Sequence, residues 1–476
     1  MRKKARKSCS QCAQLRQRVA TLEAELAAVR GELTRVQEQL AAAKKNSATS
    51  SKPPSSDIVK PPAPDRADGQ PRTAGGQPGH PPHQRPLLPP EQLTEEPHVH
   101  LIELCPTCGH DLQPSWAVPR VVQQIDVAEV PVLAVEHRSV AGWCPQCQRN
   151  HYAPLPAGIE RGGLVGPRLT ALIAFLKGVC HASYATIRKY LRDVLQVKIS
   201  RGLLGKVLHK VTEALDGPYE ELLQRLPKEA VLNVDETSHK DRGERWWTWC
   251  FRASLYTLYK IDATRSGDVL LAVLGEEFQG VLGCDYFSAY RRYMRECGIV
   301  VQFCLAHLIR EIRYLTTLPN AAERAYGERL VQAIRGLFEV IHRREDLTAR
   351  AFQDQLAAAR AEVLRVGTQD VPSGRPSQNL AKRLAKHGDC YFRFLTTPGV
   401  EPTNNLAEQA IRFVVIDRYV TQGTRSEVGR RWCERIWTVI ATCSRQGRSV
   451  FEYLCAAVEA HFAGTSVPSL LSNSLG

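Results

Sequence analysis

Twice in this chain an apolar run stops on a carboxylate: Val231-Leu-Asn-Val-Asp235-Glu236-Thr237 and Gly280-Val-Leu-Gly-Cys-Asp285. Each reads as a buried strand whose last side chain reaches polar surroundings. Two further strand-like runs, Trp246 to Ala253 and Leu255 to Ile261, and helix-permissive residues 266 to 275 lie between them. Strand ends brought side by side let the two acids meet, although 50 residues separate them in the chain. A third acid then has to come from a later helix. Glu408 fits, in Glu401-Pro-Thr-Asn-Asn-Leu-Ala-Glu408-Gln-Ala-Ile-Arg412, with Thr403 or Asn404 as N-cap and Ala407 and Ala410 small enough for close approach. Three converging carboxylates suit phosphodiester chemistry, which has to neutralise charge on both the attacking and the leaving oxygen. Two hard cations, about 3.5–4 Å apart, do so. Mg2+ (or Mn2+) takes oxygen ligands and keeps waters, so a few carboxylates suffice.

Three sequential strands, a helix and a fourth strand, with acids at the tips of the first and fourth, is the ribonuclease H-like order. At 476 residues the chain exceeds one ordinary core. The expected fold class is multidomain α+β, in which an α/β ribonuclease H-like catalytic core carries an all-helical insertion. A net charge of +14 favours a polyanionic partner, because Lys and Arg release counterions from phosphates. No run of 18 apolar residues exists to cross a membrane. The basic start, MRKKARK, leads into a helical repeat and not into an apolar signal core, which predicts a cytoplasmic, nucleoid-associated protein. In that compartment the fifteen cysteines read as metal ligands and buried thiols.

Residues 1–45 carry an unbroken heptad, Leu15, Val19, Leu22, Leu26, Val29, Leu33, Val36 and Leu40. With Val19, Leu26, Leu33 and Leu40 at a, Arg18 faces Glu23 and Glu25 faces Arg30 across a parallel pair. A self-associating parallel coiled coil is expected, its strand number left open. Residues 46–100 form a Pro-rich linker, with 13 of the chain's 29 prolines between Asn46 and Pro97. In residues 101–155 the pairs Cys105/Cys108 and Cys144/Cys147 have the spacing of two zinc knuckles. His110 can replace one thiolate, and the 35-residue gap requires the stretch Val121 to Val140 to fold back as a hairpin. Four ligands leave no open position, so this zinc is structural.

Residues 156–226 read as helical. Tyr184 to Val194, a short turn, and Ser200 to Leu208 with Ser200 as N-cap resemble a helix-turn-helix that offers Arg188, Lys189, Arg192, Lys198 and Arg201 to DNA. The catalytic core is placed at 227–415, its helical insertion at about 315–395. The basic helical C-terminal region, 416–476, follows. Between 412 and 448 eight arginines face three acids, and Arg412, Arg425, Arg430, Arg431 and Arg435 are candidates to grip phosphates beside the active site.

Several stretches together are similar to the insertion sequence 66 family of bacterial transposases. They are Ser51-Lys-Pro-Pro-Ser-Ser-Asp57, Gly75-Gly-Gln-Pro-Gly-His80, the cysteine knuckles, Arg161-Gly-Gly-Leu-Val-Gly-Pro167, Val234-Asp-Glu-Thr237 and Pro402 to Arg412. The resemblance implies a DDE core with Asp235, Asp285 and Glu408 as its acids. It also implies a C-x-x-H signature in Cys304-Leu-Ala-His307, which puts His307 near the site, and small accessory proteins from the same element. One departure is Tyr286, where many relatives have glycine beside the acid. The implied activity is binding of the element's terminal repeats, cleavage there, and transfer of the freed 3′-hydroxyl to target DNA. Two other readings fit the residues: a DNA-binding regulator without catalysis, and a structure-selective nuclease on the same fold.

Overall fold

The computed structural model describes residues 10–43, 87–93, 107, 109–111, 132–146 and 148–471. The described residues fall into two units, the smaller holding those within 62–136 together with Asp193–Val197, the larger all others. Among the described residues of 62–136 the one regular element is a 3-10 turn, Pro90–Gln92.

The larger unit opens with α1 (Ser10–Ala43), the helix of the heptad. Its apolar row, Leu15 through Leu40, stands 50–62% exposed in the single chain. A short antiparallel hairpin follows, β1 (Ala141–Cys144) with β2 (Arg149–Tyr152). The second cysteine knuckle therefore begins at the hairpin's turn: Cys144 closes β1, and Gln148 takes the left-handed φ of 53° that reverses the chain. The described residues 132–140 ahead of it form no strand, and the rest of the stretch expected to fold back, 121–131, lies outside the described residues. Cys105, Cys108 and Cys147 lie outside the described residues, as do 112–131 and most of the Pro-rich segment.

Four helices come next: α2 (Ala157–Gly162), α3 (Pro167–Gly178), α4 (Tyr184–Asp193) and α5 (Arg201–Arg225). Ser200 caps α5 by accepting a hydrogen bond from Leu203 N at 3.1 Å. Far longer than a recognition helix, α5 runs 25 residues, and its second half enters the core, where Tyr219 Oη donates to Tyr259 O at 2.9 Å.

The core is a five-stranded mixed sheet in the order β5-β4-β3-β6-β7. Its first three strands, β3 (Val231–Asp241), β4 (Glu244–Arg252) and β5 (Thr257–Asp262), form an antiparallel meander. Then α6 (Gly267–Leu274) crosses to β6 (Val281–Cys284), and α7 (Ser288–Cys297) to β7 (Val300–Phe303), both strands parallel to β3. Between β7 and the third acid lie α8 (Leu305–Leu315), α9 (Ala321–His342), α10 (Ala349–Thr368) and α11 (Arg375–His387), packed successively on one another. The chain ends with α12 (Asn405–Thr421), α13 (Glu427–Gln446) and α14 (Val450–Ala463).

The expected boundary at 415/416 falls inside α12, and α13 is no appended basic helix. Trp437, Ile436 and Val439 are buried, and one side of α13 closes the exposed edge of the sheet. Glu434, Thr438 and Thr442, one per turn, accept from the free backbone N–H groups of Ile261, Tyr259 and Thr257 on β5 at 2.8, 3.1 and 3.2 Å. An unpaired edge strand is a template for aggregation, and this side-chain ladder satisfies its donors without another strand.

Candidate functional site

The site grows from a fork in the sheet. β3 pairs with β6 only from Val231/Val281 to Asn233/Gly283, then continues beside β4 as far as Asp241 while β6 stops at Cys284. The same register carries Asp235 and Asp285 to one level, each two residues beyond the last parallel pair. A crevice at the carboxyl ends of parallel strands is where α/β sheets place ligands.

Glu408 reaches this crevice in the first turn of α12, and a buried asparagine sets its position. Asn404 precedes the helix, yet its side chain does not cap it. The amide instead spans the fork: Nδ2 donates to Val234 O at 2.8 Å, and Oδ1 accepts from Asn233 Nδ2 at 3.1 Å. Asn404 N donates to Cys304 Sγ at 3.2 Å, Leu305 N donates to Pro402 O at 2.9 Å, and Asn404 O receives Glu408 N at 3.1 Å. Asn404 thus joins β3, the end of β7 and the start of α12. Gly283 allows this, since a Cβ there would lie 2.5 Å from Asn233 Nδ2.

Electrostatics mark the trio as under-neutralised. Burial first, then the charges of Glu236, Asp285 and Glu408, raise the Asp235 carboxyl well above its usual range. Burial also raises Asp285, partly offset by the hydrogen bond its Oδ1 accepts from Phe287 N at 2.8 Å. Among the described residues no Lys or Arg forms an ion pair with Asp235, Asp285 or Glu408. His307, in the first turn of α8, brings Nδ1 to 3.7 Å from Glu408 Oε1, and neither atom has a hydrogen-bond partner. Burial lowers the basicity of His307, while Glu408 works to raise it. Cys304, His307 and Glu408 offer one ligand atom each, all within 4.8 Å of one another.

Neighbouring Glu236, to which the sequence pattern assigned no part, points to the opposite face of β3, as strand alternation requires. Tyr290 and Arg265 hold it there, Arg265 at 2.6 Å. Its pKa is pushed up to about 7, by burial first and by Asp285 next. Neither the pairing of Glu236 nor the bonding of Asn404, which the sequence offers only as an N-cap, follows from spacing, because their partners lie 29 to 171 positions away.

The basic candidates separate into two groups. Lys189, Arg192, Lys198 and Arg201 are exposed on or beside α4 and α5, and Arg412 and Arg425 are exposed on and after α12. Arg188 is exposed too, but its Nε donates to Ile199 O at 2.9 Å. Arg430, Arg431 and Arg435 do not form the expected phosphate grip. Arg430 pairs with Asp241 and stacks over Trp246 at 4.2 Å, and Arg431 pairs with Asp216 at 2.6 Å. Arg435 is 7% exposed and bound to Asp216 at 2.8 Å and Glu434 at 2.7 Å. A buried guanidinium already paired with two carboxylates holds the fold together and has little left for a phosphate.

A family model described as Transposase IS66 family matches residues 162–431, more than half of the chain. The chain belongs to the IS66 family of transposases. The span shared with the family holds Asp235, Asp285, His307 and Glu408. A second model, of a family of unknown function, matches residues 4–86. Among curated relatives, the uncharacterized protein y4qI of Sinorhizobium fredii is 24% identical over 327 residues, which cover 63% of this chain and 60% of the relative. The chain thus spans less than two thirds of that relative's length. The cryoEM structure of a simian T-cell lymphotropic virus intasome with PP2A regulatory subunit B56 gamma aligns over 48% of this chain and 77% of its own. Its identity is 11% and its TM-score 0.14, too slight a likeness to carry an argument. Membership in the IS66 family makes DNA rearrangement the context in which the site is read. Among the described residues no helix is long and apolar enough to cross a membrane.

Proposed function

We propose that this IS66-family chain cuts and joins DNA at the ends of its element, with Asp235, Asp285 and Glu408 as the acids of a ribonuclease H-like DDE core. The observation that carries the reading is their convergence. Two acids stand at the ends of adjacent parallel strands and the third at the start of α12, without a basic partner. The sheet order, three antiparallel strands followed by two parallel ones, supports the ribonuclease H-like assignment.

The residues present fit divalent cations. Glu408 Oε1 is buried without a hydrogen-bond partner, and the charges of Asp285 and Glu408 raise the proton affinity of Asp235. Bound there, two Mg2+ or Mn2+ ions would supply an activated nucleophile and a stabilised leaving oxygen. The chain's own contribution is to hold the acids in place. Asn404 fixes the approach of α12, and Arg265 neutralises Glu236 and leaves Asp235 and Asp285 unpaired. His307 sits against Glu408, its basicity lowered by burial, where it can orient a water or a leaving oxygen.

DNA recognition is assigned to α4 and α5 with Lys189, Arg192, Lys198 and Arg201, helped by Arg412 and Arg425. Self-association is assigned to α1, and a structural zinc to Cys105, Cys108, Cys144 and Cys147. The test is a Mg2+-dependent nicking and strand-transfer assay on DNA carrying the inverted repeats that flank the gene. Asp235→Ala and Glu408→Ala should abolish cleavage while end binding persists. Cleavage retained in either variant rejects the catalytic assignment. End binding with no cleavage by the wild type identifies a regulator, and cutting without transfer or preference for ends identifies a nuclease.

A further inference from the structure

Tyr286, the residue after Asp285, opens onto a second site. It lines a cavity of about 770 Å3 between the start of α7, α8 and α11, beginning one residue from Asp285. Two guanidinium groups flank the ring, Arg291 at 4.5 Å and Arg383 at 4.7 Å. Arg383 is 9% exposed and clasps Glu311, the one acid on the cavity wall. The Nε atoms of Arg291 and Arg383 are both buried without a hydrogen-bond partner. Such donors cost about 1–3 kcal/mol each unless an acceptor arrives.

The rim adds more positive charge. Arg375, Lys382 and Lys386 line the cavity from α11, are exposed, and form no ion pair among the described residues. Positions 375, 382 and 386 share one side of the helix, with about 6 Å of rise between the two lysines. With Glu311 already matched by Arg383, the wall keeps an excess of four cations. The ligand class is therefore a phosphoester anion, and a row of cations along a helix suits several linked phosphates better than one. A volume in the range of about 300–1,000 Å3 holds a small molecule or a few nucleotides and excludes a duplex.

We propose that this cavity receives an unpaired stretch of the DNA strand continuous with the scissile phosphodiester. Its phosphates would be held by Arg375, Lys382 and Lys386 at the rim, with the Arg291 and Arg383 guanidinium groups adding positive charge to the wall. The proposal rests on the DNA-cutting reading and adds to it the state of the substrate: strand separation beside Asp285. Tyr286 fits this arrangement as the aromatic seat that positions both guanidinium groups, a task glycine cannot perform.

The test uses the full-length protein and labelled duplexes with or without a single-stranded tail of about six thymidines. Fluorescence anisotropy should show wild type binding the tailed duplex at least about tenfold more tightly than the blunt one, with a steeper salt dependence. The double variant Lys382→Ala/Lys386→Ala should bind the two alike, its salt slope for the tailed duplex reduced by about 1.4 for two lost phosphate contacts. A wild type indifferent to the tail, or a variant that keeps the full advantage, overturns the proposal. In either case Mg2+-dependent cleavage by the wild type would leave the DNA-cutting reading standing, whereas failure to bind or cut any DNA removes both. ATP serves as the probe for the other source of the same chemistry. ATP binding that is lost in the double variant and unaffected by the tailed duplex would assign the cavity to a free nucleotide and overturn the strand assignment.

Discussion

In the proposed mechanism protons and cations compete for the same oxygens, and that competition predicts a pH dependence. Asp235 and Asp285 hold protons more tightly than ordinary carboxyls, first because burial removes water and then because other acids stand close to Asp235. The Mg2+ concentration for half-maximal cleavage should therefore rise as pH falls from about 8 to 6. A Mg2+ titration at both ends of that range checks this, and an unchanged requirement would contradict it. His239 behaves oppositely, because it is a buried base. Its pKa is lowered from 6.5 to about 4, and its Nε2 lies 3.0 Å from Thr424 Oγ1. Between those two values the unfolded chain binds more protons than the native one. The contribution is therefore whole above the unfolded pKa and is lost as pH falls toward the folded one, about 3 kcal/mol at most. His239→Gln should shrink the difference in urea stability between about pH 7 and pH 5. An equal acid loss in wild type and variant would argue against it. At this scale the sequence marks the three candidate acids, each by a local pattern. It conceals the roles of Glu236 and Asn404, which come from partners brought near by folding.

Helices and strands carry the same lesson in another form. The meander and β6 were readable because their apolar runs are long or end on an acid. β7 escaped notice: it has four residues, and Gln302 interrupts it, buried and bonded to Tyr391 O at 3.1 Å and Phe394 N at 3.0 Å. The arginines of α13 misled for a related reason, since Asp216, which neutralises Arg431 and Arg435, lies more than 200 positions upstream. The link most open to test is the start of α12. Asn404→Ala leaves Asn233 without its buried acceptor, which should cost about 1–3 kcal/mol. It also frees α12 to move Glu408, so cleavage should fall more than tenfold under conditions where the variant is still folded. Thermal unfolding and cleavage measured on the same sample decide the matter, and full activity would show that the clamp does not position the acid.

Across the whole molecule, the row from Leu15 to Leu40 is an extended apolar surface left open in a single chain. A parallel coiled coil would cover it and bring two or more catalytic cores onto one DNA molecule. Replacing Leu26 and Leu33, both at a positions, by glutamate should convert an oligomer into a monomer by sedimentation and slow joining of paired ends more than single-end nicking. A wild type that sediments as a monomer at micromolar concentration would remove this part of the account. The central claim concerns the acids, and counting ions tests it most directly. Electron paramagnetic resonance of Mn2+ bound to the protein on DNA should reveal a coupled pair of ions per chain in the wild type, the spacing of two-metal sites being about 3.5–4 Å. The triple variant Asp235→Asn/Asp285→Asn/Glu408→Gln should lose that pair. If the pair persists in the triple variant, or the wild type on DNA never acquires it, these three carboxylates do not form the catalytic metal site.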